Sequence, residues 1–192
     1  MPHNTKPDVM HKPSLLVYFL IPILFISCSI QTYELKNGIT DVPIDDSVYV
    51  NKSKFSKSIA GVIDTTVVYE EYNTYYRVLD RLQTEHSNCC YSALKFYSNG
   101  LLNLFILKKE GGVTGRELDP EYNGFRGNYY TEDGRIKMDL FVPSNELRRI
   151  NKRTETLLIK DDTLYVNNRD GMRKYVKSKF IPQDSLRYKA NW

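Results

Sequence analysis

The sequence predicts an all-β, mainly antiparallel domain of about eight strands, and three observations carry that prediction. From Gly61 onward, turn signals recur at short spacing: Asn99-Gly100, Asp133-Gly134 and Asp161-Asp162 each separate two runs of aliphatic, β-branched and aromatic residues. The run from Phe125 to Val142 alternates almost cleanly between apolar and polar side chains, the two-residue period of a sheet with one wet face. Tyrosine supplies 15 of the 24 aromatic side chains, and a ring that packs while its hydroxyl stays hydrated suits a half-buried sheet.

In chain order, the first element is an address. Leu15 to Ile26 is an apolar run of about a dozen residues, interrupted by Pro22 and preceded by Lys6 and Lys12. It falls short of the roughly 17 to 25 residues that a membrane-crossing helix needs, so it reads as a cleaved export signal. The alternatives are an uncleaved N-terminal anchor helix, or ordinary secretion with a coincidental cysteine at the end of the run. The closing residues Phe25-Ile26-Ser27-Cys28 resemble the lipobox of bacterial lipoproteins, with Phe25 where Leu is usual. That resemblance implies that residues 1–27 are removed and that Cys28 becomes a lipidated N-terminus. Diacylglycerol on the thiol and a further acyl chain, such as palmitate, on the amine would then hold the protein at a membrane, since stable anchoring takes more than one chain.

Residues 28–45 read as a tether, broken by Asn37-Gly38, Pro43 and Asp45-Asp46, and residues 46–192 as a single β-rich domain. Ser47 to Ala60 predicts an irregular or edge strand. Val62 to Tyr69 predicts the first main strand. A polar insertion through Asn88 follows, in which Tyr75, Val78, Leu79 and Leu82 have helix-like spacing. The first hairpin pairs Tyr91–Ser98 with Leu101–Leu107 across a type I′ turn at Asn99-Gly100. Both its faces are apolar, so its outer side must be covered.

The second hairpin pairs Phe125–Glu132 with Arg135–Val142 and directs Phe125, Gly127, Tyr129, Ile136, Met138, Leu140 and Val142 to one side. The Gly-rich stretch Gly111-Gly112 and Gly115 lies between these hairpins and predicts a loop. The third hairpin pairs Thr154–Lys160 with Thr163–Val166 around Asp161-Asp162 and directs Leu157, Ile159, Leu164 and Val166 to one side. Lys174–Phe180 predicts the last strand, and Ile181–Trp192 a tail whose Trp192 plugs or caps an open end. This strand order, with the runs Leu94 to Gly100 and Gly127-Asn128-Tyr129-Tyr130, resembles the lipocalin-like up-and-down barrels of small bacterial lipoproteins. The Gly-x-Trp signature of true lipocalins has no counterpart here, where Ala60-Gly61-Val62-Ile63 stands. A closed barrel hides every sheet edge; a β-sandwich is the alternative.

Chemistry is sparse. After removal of residues 1–27 the chain carries 25 basic and 22 acidic residues, with the excess of positive charge in the C-terminal third around Arg148, Arg149, Lys152 and Arg153. That third reads as a solvated face or as a surface for anionic lipid or an acidic partner, and export makes nucleic acid an unsuitable partner. Cys89 and Cys90 are adjacent: a vicinal disulfide, two thiols and a bond to another chain all remain open. With His86 they are the one cluster of soft ligands, but adjacent cysteines converge poorly on one ion and no fourth ligand stands nearby, so neither a metal nor a cofactor is expected. The pairs Glu70-Glu71 and Asp161-Asp162 do not form a catalytic dyad, because neighbours on a strand point to opposite faces and the second pair is a turn. No nucleophile or phosphate-loop motif is present, and no enzyme activity is expected. The expected function is a non-catalytic, membrane-anchored binding module in the cell envelope, facing the periplasm, for a small apolar or amphiphilic ligand. The alternative is an envelope interaction or structural protein with a filled barrel.

Overall fold

The structure is a computed structural model, and it describes residues 30–78, 81–83, 89–144, 149–168, 171–179, 181 and 186–192. A small sheet pairs β1 (Thr32–Glu34) with β2 (Asp41–Pro43). Two 3-10 turns (Asp46–Val48 and Val50–Lys54) and a single helical turn α1 (Lys57–Ala60) lead into the main sheet. That sheet contains β3 (Val68–Val78), β4 (Arg81–Gln83), β5 (Cys90–Phe96), β6 (Leu101–Lys108), β7 (Phe125–Glu132), β8 (Arg135–Pro143), β9 (Ile150–Lys160), β10 (Thr163–Asn168) and β11 (Gly171–Lys177). Consecutive strands pair antiparallel from β5 to β11, β3 joins β5, and β11 closes onto β3. The result is a closed eight-stranded barrel, with β4 as a ninth strand attached to β3. Eight strands give an interior that side chains alone can fill.

The second and third hairpins form as their patterns predict. Asp133 and Gly134 both adopt positive φ (52° and 69°), Glu132 faces Arg135, and Gly127 faces Leu140. A Cβ at position 127 would collide with the Asp139 carbonyl, so only glycine lets β7 lie this close to β8. Leu157, Leu164 and Val166 enter the core, with Ile159 packed against it.

The first hairpin forms in a different register. Gly100 alone takes positive φ (85°), and Phe96 pairs with Leu102 and Lys95 with Asn103. The connection has three residues, with Gly100 N–H bonded to the Tyr97 carbonyl and Tyr97 N–H to the Leu101 carbonyl, the pattern of a type I turn followed by a bulge. A two-residue turn at Asn99-Gly100 predicts Leu101, Phe105 and Leu107 on the face of Leu94 and Phe96; instead Leu102 and Leu104 go inward with them, while Leu101, Phe105 and Leu107 go outward. Local contacts explain the choice. Asn99 spends its amide on the Ala190 carbonyl (2.9 Å), and Phe55 sits against Gly100 on the inner side.

Four other expectations are corrected. Part of the stretch read as a tether is folded: β1 and β2 pair, and Leu35 and Val42 are buried. Residues 46–60 form the 3-10 turns and α1, not a strand. Val62 and Ile63 lie in a turn, because the Asp64 carboxylate accepts from the Thr66 N–H and Thr66 hydroxyl and bends the chain before β3 begins at Val68. The helical spacing of the insertion is overridden by pairing, since β3 continues to Val78 along β11 and β4; Leu79 lies outside the described residues. The Gly-rich stretch ends in a 3-10 turn (Gly115–Leu118) with a Thr114/Glu117 capping box.

Candidate functional site

The barrel has a closed end and a mouth, and both follow from sequence. At the closed end, Ile59 and Ile63 around α1 and the Phe55 ring pack into the interior against Tyr69, Phe96 and Tyr129. Three edge-on ring contacts stack there: Phe55 on Tyr129 (5.2 Å), Phe96 on Tyr129 (5.1 Å) and Tyr69 on Phe96 (5.8 Å). Leu94, Leu102, Leu104, Met138, Leu140, Leu157, Leu164 and Val166 fill the middle. The described lower and middle interior is therefore occupied by the protein's own side chains.

Toward the mouth, where β5 begins and β6 ends, polar groups join the inward face beside Ile106, which follows Leu102 and Leu104 in phase and is half exposed. Ser92 donates to Glu71 and shares a hydrogen bond with the Tyr175 hydroxyl (2.9 Å). Tyr175 is almost fully buried, and burial, with Glu71 as a second cause, pushes its hydroxyl up to about 12. Arg173 bonds Tyr175, and Arg153 Nε lies 2.6 Å from the buried Glu155 carboxylate. Sequence reading missed this group. The signal was nonetheless present, since Arg153 and Glu155 fall in phase with the inward Leu157 and Ile159.

The outer wall of β5–β8 is the second surface with unusual chemistry. The sequence requires a cover for it, and the cover comes from both ends of the described chain. Tyr97, Leu101, Phe141 and Ile150 pack with Tyr49, Ala190 and Trp192, and Ile30 and Val48 pack against them. Ala93, Phe105 and Leu107 pack with Val68 and Leu118, joined by Val113, Ile181 and Leu186. Trp192 thus seals the outer wall and does not cap an open end: its Nε1–H donates to the Gly127 carbonyl (3.3 Å), and the Arg126 guanidinium lies 4.8 Å from its ring. Asp139, buried on the same wall, accepts from Asn51 (2.7 Å), Thr154 (2.6 Å) and Tyr130 (3.2 Å), tying the N-terminal segment to the barrel.

The residues singled out from sequence are dispersed. Cys28, His86 and Arg148 lie outside the described residues. Cys89 and Cys90 stand at the rim of the mouth with their Sγ atoms 2.7 Å apart. Glu70 and Glu71 diverge as strand neighbours must, Glu70 accepting from Tyr91 on the outside (3.2 Å) and Glu71 from Ser92 on the inside. Asp161 and Asp162 form the β9–β10 turn, where Asp162 pairs with Lys177 (2.9 Å). Of the basic cluster, Arg149 is exposed, Lys152 approaches Asp139 (3.8 Å), and Arg153 points inward, so these side chains do not share one face. Among the described residues, no group of three or more His, Cys, Asp or Glu side chains is placed to hold a metal ion. Among them, too, no helix is long and apolar enough to cross a membrane.

Comparison with known proteins adds no relative: no protein-family model matches the chain, and neither the curated proteins nor the solved structures contain a match.

Proposed function

We propose that this is an exported, lipid-anchored cell-envelope protein that works without catalysis as an interaction or structural module, through its outer surface and mouth. The observation that carries this reading over carriage of an apolar molecule inside the barrel is the occupied interior. Fourteen buried side chains form one continuous cluster there, and Phe55, Ile59 and Ile63 stopper the closed end. A carrier needs a hollow lined by apolar groups. Among the described residues, the inward groups toward the mouth include Glu71, Ser92, Arg153, Glu155, Arg173 and Tyr175, which suit a polar or charged contact, beside the half-exposed Ile106. The anchoring half of the reading rests on the run from Leu15 to Cys28 and its resemblance to a lipobox.

Native mass spectrometry of the protein purified from membranes tests the first half: the expected result is protein with no bound small molecule, and a stoichiometric apolar ligand would restore the carrier. Cys28→Ala tests the second. It should abolish acylation and membrane fractionation of the mature form; unchanged fractionation with an intact N-terminus would favour an anchor helix.

A further inference from the structure

Resting on lipidation at Cys28, we infer that the barrel does not swing on a tether but sits flush on the bilayer, with the edge formed by Ile30, Gln31 and Ile44 at the lipid headgroups. The first reason is reach. Ile30 already packs against the Tyr97, Leu101, Phe141 and Trp192 cluster. Only Ser29 stands between it and Cys28, so the two Cα atoms are at most about 7 Å apart. A headgroup zone is itself roughly 5–8 Å deep on each side of the hydrocarbon. A thioether-linked diacylglycerol at Cys28 would therefore bring the folded domain to the membrane surface with no slack.

The second reason is the distribution of exposed apolar groups. Among the described residues, nine large hydrophobic side chains are exposed, and four of them, Tyr33, Ile39, Ile44 and Val50, fall in the short segment that follows Cys28. Ile44 is central: its N–H donates to the Gln31 carbonyl (3.0 Å), and its side chain is 55% exposed. An isoleucine held beside the anchor point and left half in water gains by entering the interface. The charges nearby select the kind of surface. Glu34, Asp41, Asp45 and Asp46 outnumber Lys36 between residues 30 and 50. This edge would be repelled by anionic lipid and suits a zwitterionic headgroup layer. From Ile44 the chain leaves the anchor and runs along the outer wall, Asn51 bonding Asp139 and Lys54 bonding Glu132 (2.5 Å), so the β7–β8 turn at Asp133 lies at the far, closed end.

The test uses the full chain, purified in its membrane-bound form and placed in phosphatidylcholine vesicles that carry a headgroup-level quencher lipid. In a Cys89→Ser, Cys90→Ser background, a fluorophore is attached at Ile44→Cys or at Asp133→Cys, and the N-terminal peptide is weighed in the same samples. The expected result is blue-shifted, lipid-quenched emission at position 44 and unshifted, unquenched emission at 133, with the acyl mass on Cys28. Equal emission at both positions, with Cys28 acylated, overturns the flush orientation and leaves the lipidation reading intact. Blue-shifted emission at 44 that lipid does not quench means a protein covers this edge, and overturns it too. Absence of the acyl mass overturns both.

Discussion

The interior of the barrel and its outer wall under the terminal segments are buried to the same degree, but they are built by different rules. The interior is made of strand alternation, ring on ring and aliphatic on aliphatic, and among the described residues its ionic groups, Glu71, Arg153, Glu155 and Arg173, lie toward the mouth. The outer wall is a second core assembled from segments distant in sequence, and it carries the compromises: Arg126 under Trp192, Asp139 held by three donors, and Lys95 beneath the C-terminal segment. Burial alone therefore does not say what holds a face together. An apolar interior excludes water uniformly, whereas a wall closed by distant segments meets its polar groups singly and leaves some unmet: among the described residues, the buried Asn128 side-chain amide and Tyr49 hydroxyl have no hydrogen-bond partner.

The largest expected effect lies inside. Phe96 is fully buried and in edge contact with both Tyr69 and Tyr129. Phe96→Ala should cost about 3–5 kcal/mol, the sum of lost transfer energy and an unfilled cavity. Urea denaturation followed by far-ultraviolet circular dichroism measures it. A cost near 1 kcal/mol would mean that the interior collapses freely and is less well packed than its ring geometry indicates.

Next in size is the outer wall's own anchor. Trp192 is as buried as the interior rings, holds a hydrogen bond to Gly127, and has its carbonyl oxygen bonded by Lys52 (2.5 Å). It belongs to a segment outside the barrel strands, which can detach locally without unfolding the barrel, and that caps what its loss can cost. Trp192→Ala should lower stability by about 2 kcal/mol in the same assay. A loss equal to that of Phe96→Ala would show that wall and interior form a single cooperative core. No loss at all would make the overlay dispensable.

How much of this was legible in the sequence follows the same division. The β7–β8 hairpin was readable to the residue, because Asp133-Gly134 supplies both positive-φ positions and the alternation leaves one register that buries Met138 and Leu140. The β5–β6 hairpin was readable as an element but not in register, because the Asn99 side chain is taken by Ala190 and the Gly100 site is shaped by Phe55, 45 positions earlier in the sequence. That both faces of this hairpin must be covered was evident. What covers them was not, since Tyr49, Leu118 and Trp192 meet it only in three dimensions. The inward polar group near the mouth was hidden for a related reason. Ser92, Glu71 and Tyr175 come from β5, β3 and β11, and only the closure of β11 onto β3 brings them together.

The smallest effect is the most diagnostic of the outer wall. Lys95 points outward from β5, is nearly buried, and donates to the carbonyls of Thr65 (2.7 Å) and Val67 (3.3 Å). Around it, Val68, Tyr97, Leu118, Leu186 and Tyr188 leave a cavity of about 10 Å³, room for roughly one water. Burial lowers the ammonium from its ordinary 10.5 to about 8, against the opposing pull of Asp64. The folded protein therefore releases this proton near pH 8, while the unfolded chain keeps it until about 10.5. Between those values the unfolded state binds more protons, so this residue makes stability rise with pH. Tyrosines whose hydroxyls burial raises above 10, Tyr97 among them, act in the opposite sense only above that pH. Lys95→Met removes the lysine's contribution without opening a cavity. The difference in unfolding free energy between the two chains should therefore shift in favour of the parent by about 1–2 kcal/mol from pH 7 to pH 10, read from urea midpoints at each pH. The same shift measured in Trp192→Ala should be smaller, because loosening the terminal overlay readmits water to the ammonium. A pH-independent difference would mean that Lys95 is solvated and that the wall is not sealed.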